Sequence, residues 1–546
     1  MTVSQSNLGT EVEAVVVGAG FAGLYMLHRL RELGMTVRVF EAGPDVGGTW
    51  YWNRYPGARC DVASVEYCYS FSPELDREWN WSERFATQPE ILEYIRFVAD
   101  RFDLRKDITF HTRVETAVYD EAAARWTVTT SSGETVSARY CIMATGCLSV
   151  PTLPSIEGVA SFAGEVYHTA AWPEGGAALE GKRVGVIGTG SSGCQLIPEI
   201  APEVGDLYIF QRTPNHCLPA RNRPMEQDYY QRIKGRYADV RRKWRSSPLG
   251  TSWPSGNSSA LDVPSVEREA AYEYHWTIGG ASFVAAFDDI FVDIDASRTA
   301  SDFIARKIRS IVTDPDVAEQ LVPKDHPIGS KRVALVSDYY ETFNRPNVHL
   351  VSGDRAPIDR ITPAGVVAGG EEIALDVLVY ATGFDAITGA LLAVDIRGRD
   401  GRSLREMWAD GPEAYLGVAI AGLPNLFIIT GPGSPSVLSN VVNSIEQHVE
   451  WIGECLAFMR SSNIEEIEAD LDAQTAWMQH TDDVAQMTLF PRAKSWYSGD
   501  NVEGKPRRFA PYVGGHATYA EKLAAVRDNG YEGFRFKAEE PVRAQA

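Results

Sequence analysis

Residues 13 to 41 read EAVVVGAGFAGLYMLHRLRELGMTVRVFE. A β-branched run passes into a glycine turn, Leu24, Leu27 and Leu30 then recur at helical spacing, and a second β-rich run closes the segment. This pattern predicts a strand–helix–strand unit. Residues 183 to 211, RVGVIGTGSSGCQLIPEIAPEVGDLYIFQ, repeat the same order. Two further apolar runs end in glycine, CIMATG at 141–146 and VLVYATG at 377–383, and read as buried parallel strands that close the two sheets. Between residues 225 and 330 the character changes. The stretch opens with the polar MEQDYYQRIKGRYADVRRKWR and later carries Phe303, Ile304, Ile308, Ile311 and Val312 on one helical face.

The expected fold is therefore α/β, with two Rossmann-like dinucleotide-binding domains and a helical insertion. Neither domain is contiguous: 1–145 with 385–546 form the first, 146–224 with 331–384 the second, and 225–330 the insertion. SSPLGTSWPSGNSSA at 246–260 is rich in Ser, Gly and Pro and predicts a mobile surface loop. The tail after about Phe536 is expected to fray.

Composition narrows the function. In 546 residues, 52 Lys and Arg face 73 Asp and Glu, a formal net charge of −21. Such a chain repels nucleic acid and anionic membrane, so neither is expected as a partner, and any anionic ligand needs a local basic cluster. The seven cysteines are scattered without a C-x-x-C pair, which suits a reducing compartment and gives no structural metal or redox dithiol. With no basic leader before the first strand and no long apolar span, a soluble cytoplasmic protein is expected.

Gly18-x-Gly20-x-x-Gly23 follows the first strand, and Glu41 ends the next one about 20 residues on. Glycines in this pattern allow the tight turn, the approach of a pyrophosphate and close helix packing, while the acid accepts hydrogen bonds from ribose hydroxyls and repels a 2′-phosphate. The unit should take FAD or NAD. Gly188-x-Gly190-x-x-Gly193 repeats the turn, yet Gln211-Arg212-Thr213 stands where an acid would favour NAD. A guanidinium can clasp a 2′-phosphate and the Thr213 hydroxyl adds a donor, so this unit reads as the NADP site. Two dinucleotides in one chain imply electron transfer from NADPH to a flavin.

Between the units, Phe162-x-Gly164-x-x-x-His168-x-x-x-Trp172-Pro173 resembles the fingerprint of type I Baeyer–Villiger monooxygenases. The resemblance extends over nearly the whole chain, through GGTWYWNRYPGARCD (47–61), QRTPN (211–215), YYETFNRPNV (339–348), GPGSPSVLSN (431–440) and SWYSGDNVEGKPR (495–507), and is nearest the phenylacetone and steroid monooxygenase branch. It implies FAD and NADP(H) as cofactors, a small-molecule ketone and dioxygen as substrates, and oxygen insertion beside the carbonyl through a flavin peroxide. It also implies that Arg332, after Lys331 in GSKRVALVSDYY, is the active-site arginine, that Asp61 pairs with it, and that Lys331 helps hold the NADP phosphate.

By the same resemblance Phe21, Thr49, Trp50, Tyr51, Trp52, Tyr67, Val114 and Cys147 are expected at the flavin. Arg59, Thr189, Gly190, Ser191, Ser192, Gly193, Gln195 and Trp496 are expected at the nicotinamide dinucleotide. Cys147 is more simply read as a buried, inert small hydrophobe. Ser436, Val437, Leu438 and Val441 resemble the substrate-side loop. His168 has no acid or nucleophile near it in sequence, which argues against a catalytic base; the resemblance implies that it organises the domain junction, with Phe162 and Trp172 as core aromatics. Two alternatives share much of this pattern: a flavoprotein that oxygenates nitrogen or sulfur, and a flavin-bearing redox sensor.

Overall fold

A computed structural model describes residues 10–253 and 256–538. The strand Glu11–Val17 runs parallel to Val37–Phe40 on one side and to Thr135–Met143 on the other. Leu426–Ile428 adds in parallel to the last of these. The register aligns Val17 with Phe40 and Met143, so Gly18, Glu41 and Ala144 emerge together at the carboxyl edge. That edge is where open parallel sheets bind their ligands. Ala14 and Val16 pack beneath the helix Phe21–Glu32, which buries Leu24, Leu27 and Leu30 as its spacing requires. Val15 and Val17 face the opposite core, built with the antiparallel hairpin Val114–Asp120 and Arg125–Thr130.

The second sheet is parallel throughout. Its order is Val348–Ser352, Asp206–Gln211, Arg183–Ile187, Val377–Tyr380, Glu165–His168. All four residues of Val377–Tyr380 are buried, and the strand lies inside the sheet rather than closing it, because Glu165–His168 adds beyond it. Gly188, Gln211, Ala381 and His168 lie at its carboxyl edge.

The stretch 225–330 is helical, but its helices pack on two different cores. Tyr230, Tyr237 and Trp244, from Gln227–Lys234 and Tyr237–Arg245, join the core of the first sheet. Ser265–Ile278 and Ile294–Ile311 bury Tyr272, Trp276, Phe303, Ile304 and Ile308 with the second. Among the described residues, no helix is long and apolar enough to cross a membrane.

Two expectations need correction. The start of the Ser/Gly/Pro-rich loop is pinned rather than free: Asn440 N–H donates to the Leu249 carbonyl (3.0 Å), Asn443 Nδ2 to the Gly250 carbonyl (2.7 Å), and Ser252 N–H to the buried carboxylate of Glu66 (2.8 Å). Small polar residues here satisfy buried partners instead of water. The tail does not fray at Phe536, because Phe534–Ala538 pairs antiparallel with Ile464–Ala469 and Lys537 reaches Glu466 (2.7 Å). Residues 539–546 lie outside the described residues.

Candidate functional site

The two glycine turns share one constraint. A Cβ on Gly23 would lie 1.8 Å from the Gly18 carbonyl oxygen, and one on Gly193 would lie 2.1 Å from that of Gly188. In each turn only glycine lets the helix start this close to the strand end. At Gly190, by contrast, nothing lies within 4 Å of an added Cβ, so the backbone of the second turn is open to a ligand.

At the first turn, Ala19 N–H and Gly43 N–H donate to the two oxygens of Glu41, at 2.8 and 2.7 Å. The carboxylate is thereby fixed at the strand end, with further lone pairs for a ribose. Beside it the short helix Thr49–Trp52 leaves Thr49 and Trp52 exposed while Trp50 and Tyr51 are buried. Trp50 Nε1 donates to the Tyr67 hydroxyl (3.1 Å), and the ring of Phe21 meets Tyr67 edge-on at 5.4 Å. Val114 is buried at the start of its strand, two residues beyond Thr112, whose N–H donates to the Glu41 carbonyl (2.8 Å). These residues fit an adenine dinucleotide: turn, fixed acid and aromatic wall adjoin at one edge.

At the second turn Arg212 is exposed and has no ionic partner among the described residues. Thr213 and Lys331 adjoin, with Lys331 Nζ 3.4 Å from the Thr213 hydroxyl. Thr189 is buried and its hydroxyl donates to the Thr213 carbonyl (3.4 Å); Ser191 and Ser192 are partly buried in the first turn of the helix Ser191–Ile200. Arginine, lysine and hydroxyl beside an open turn fit a phosphorylated nucleotide.

The segment Tyr55–Asp61 joins the two edges. Tyr55 Oη donates to Gln195 Oε1 (2.8 Å), and Gln195 Nε2 donates to the Arg59 carbonyl (3.1 Å). The Arg59 side chain is taken by Glu83 (3.0 Å) and the Phe85 carbonyl (3.2 Å). Two residues on, Asp61 meets Arg332.

Arg332 is clamped from both sides. Its Nε and Nη2 donate to Asp61 Oδ2 at 3.0 and 2.6 Å, and Nη1 donates to the Val437 carbonyl at 2.6 Å. Asn215 Nδ2 holds its backbone carbonyl at 2.8 Å. The pair is partly exposed, with side-chain exposures of 32% for Arg332 and 25% for Asp61. The Asp61 carboxylate, against the opposing pull of burial, raises the guanidinium above even its ordinary range, so the positive charge persists at any working pH.

Val437 also anchors an apolar cluster with Tyr497 and Phe509, against which Cys147, Leu438 and Trp496 pack. Ser436 is buried with φ of 40°, and its hydroxyl is 3.0 Å from the Cys147 sulfur. Burial pushes the Cys147 thiol up, so it is held as a thiol. Val441 is partly buried where the helix Val441–Ser461 begins.

His168 sits at the second sheet's carboxyl edge. Its Nδ1 accepts from Ala170 N–H (3.0 Å) and its Nε2 lies 3.3 Å from the Thr152 carbonyl. Burial lowers its pKa. Phe162 and Trp172 are both buried, in the apolar cores on opposite faces of that sheet.

Three participants have no assigned role in the sequence reading. Tyr497 adjoins Arg332 and is pushed up to about 12 by burial, with the arginine's charge opposing. Asn215 closes QRTPN, but its reach to Arg332 spans 117 residues. Glu66 precedes Tyr67 and burial raises it to about 7.

The arrangement brings a fixed cation, an apolar cluster and two dinucleotide-type edges into one junction. It can stabilise negative charge that develops on oxygen beside apolar side chains.

Over residues 12–231 the chain matches the family described as flavin-binding monooxygenase-like. It is 45% identical over 532 residues to a phenazine N-monooxygenase of Lysobacter antibioticus, covering 97% of each chain. It is 41% identical over 534 residues to a Baeyer–Villiger monooxygenase of Pseudooceanicola batsensis, again 97% of each. The solved structure of an oxidized steroid monooxygenase bound to NADP superposes with a TM-score of 0.93 at 49% identity, covering 97% of this chain and 100% of that one.

Proposed function

The chain belongs to the flavin-binding monooxygenase-like family, and from that premise we propose that it is a Baeyer–Villiger monooxygenase. It uses FAD, NADPH and dioxygen to insert one oxygen atom beside a ketone carbonyl, giving an ester or lactone, with the second oxygen atom leaving as water. When bound, NADPH would supply the two electrons and FAD the redox centre through which they reach dioxygen. In this reading 1–145 with 385–546 hold the flavin and 146–224 with 331–384 hold NADP.

The chain's own part is positional and electrostatic. Glu41 and the Gly18–Gly23 turn seat the flavin dinucleotide; Arg212, Thr213 and Lys331 take the 2′-phosphate. Arg332 is the catalytic cation. Held by Asp61 and the Val437 carbonyl, it pays no reorganisation cost when negative charge develops on oxygen during attack on the ketone. Val437 and Leu438, backed by Cys147 and Trp496 on the cofactor side, form the apolar wall against which the ketone lies and from which water is displaced. Seven cysteines, all free, support a cytoplasmic setting.

The observation that carries the proposal is the Arg332–Asp61 pair at the junction of the two sheets. The test is ketone-stimulated NADPH oxidation under ¹⁸O₂, with mass spectrometry of the product. An ester carrying one ¹⁸O supports the proposal; no ketone stimulation with any of a panel of cyclic, linear and aryl ketones refutes it. The likeness to the phenazine N-monooxygenase favours one competing reading, oxygenation of an aromatic nitrogen. An N-oxide formed from phenazine, with no ester from ketones, decides for it.

A further inference from the structure

Lys331 has two neighbours. Its Nζ lies 3.4 Å from the Thr213 hydroxyl and 3.2 Å from Asp325 Oδ2. Asp325 is therefore a carboxylate within one ammonium's reach of the edge that reads the second dinucleotide. An acid in such a place ordinarily selects against a 2′-phosphate. Arg212, by contrast, has no ionic partner among the described residues.

The carboxylate is built in. Its other oxygen, Oδ1, accepts from His326 Nδ1 at 2.6 Å. His326 is buried, its ring meets that of buried His216 edge-on at 4.9 Å, and burial keeps both imidazoles in the neutral form. The hydrogen bond from His326 and the charge of Lys331 outweigh partial burial and hold Asp325 below its ordinary range, so it is ionised wherever the enzyme works.

We propose that Asp325 is a specificity-determining residue of the NADP site: a resident counter-anion that shares Lys331 with the 2′-phosphate and so weakens the enzyme's grip on both NADPH and NADP. This rests on the reading that Arg212, Thr213 and Lys331 hold that phosphate. Two effects of removing the carboxylate oppose each other. Lys331 loses a group that orders its flexible stem, which costs affinity by a few tenths of a log unit. The phosphate loses a like charge held on the same ammonium, which gains more, because the carboxylate lies at a partly desolvated edge. The side chain of Asp325 is 49% exposed, so screening keeps the net gain to about threefold. The effect is confined to ligands that carry the 2′-phosphate.

The experiment uses the flavin-loaded enzyme and two probes, 2′,5′-ADP and 5′-ADP, titrated calorimetrically at low salt. Asp325→Asn should tighten 2′,5′-ADP about threefold, change 5′-ADP by less than half as much, and raise the ratio of kcat/KM for NADPH to that for NADH by a similar factor. Adding salt should erase the gain. Unchanged or weaker binding of 2′,5′-ADP, or an equal change for both probes, overturns the proposal. Lys331→Gln separates this failure from failure of the underlying reading. If Lys331→Gln weakens 2′,5′-ADP and Asp325→Asn does nothing, the phosphate site stands and the counter-anion falls; if Lys331→Gln also does nothing, the phosphate site itself is misplaced. Asp325→Glu keeps the charge and should not reproduce the tightening.

Discussion

Replacing Asp61 with Asn tests whether Arg332 acts through being held still. An asparagine oxygen can stand where Oδ2 stands, so the acceptor for Nε at 3.0 Å and Nη2 at 2.6 Å is retained while the negative charge is lost. A hydrogen bond to a charged partner contributes about 1.5–3 kcal/mol and a neutral one about 1 kcal/mol. Over the two bonds to Asp61 the difference is about 1–4 kcal/mol, and the partial exposure of the pair, 32% and 25%, places it near the low end, about 1–2 kcal/mol. The Val437 carbonyl keeps its grip on Nη1, so the guanidinium is loosened rather than released. Ester formation should fall about 5- to 30-fold, with the shortfall appearing as hydrogen peroxide per NADPH consumed. Anaerobic flavin reduction by NADPH, followed by stopped flow, should change far less, because Arg332 acts on oxygen and not on hydride. Asp61→Ala removes the acceptor outright and should fall further. Ester yield per NADPH equal to wild type in both variants would refute the positioning role. Equal loss of flavin reduction and ester formation would place Asp61 in cofactor binding instead.

Three further outcomes follow from the geometry. Gly23→Ala puts a methyl group 1.8 Å from the Gly18 carbonyl oxygen, so the purified protein should carry well under half the wild-type flavin-to-protein ratio. Arg212→Gln should raise KM for NADPH about tenfold while moving KM for NADH little, measured in steady state, since a phosphate–guanidinium contact is lost from one cofactor alone. Glu66, raised from 4.5 to about 7 by burial, favours its protonated form in the folded protein. Its contribution is therefore full below 4.5 and is lost as pH rises through 7, about 3 kcal/mol in all. Glu66→Gln should flatten that part of the denaturant-midpoint profile against pH, and an unchanged profile would contradict the burial argument.

What could be read from the chain divides along local and distant lines. The turn at Gly18–Gly23, the Leu24, Leu27, Leu30 stripe and the apolar run 377–380 are local, and each specifies its element through steric or burial constraints felt within a few residues. Arg332 and Asp61 are 271 residues apart, and no spacing rule joins them; only the resemblance to a known family suggested the pairing. Asn215 and Tyr497 carry no local signal, because their value lies in touching Arg332 across the fold. The start of the 246–260 loop departs from expectation for a related reason. Ser, Gly and Pro look solvated in sequence, but Ser252 satisfies buried Glu66, and a Cβ on Gly250 would lie 3.2 Å from the His516 ring.

The most direct measurement compares the wild-type enzyme with Arg332→Ala under ¹⁸O₂, counting ¹⁸O atoms in the ester against NADPH consumed. The wild type should give close to one labelled oxygen per NADPH on a good ketone. Arg332→Ala should continue to oxidise NADPH with hydrogen peroxide as the product and lose ester by about 10²- to 10³-fold. Labelled ester at the wild-type ratio from Arg332→Ala would contradict the catalytic role of Arg332.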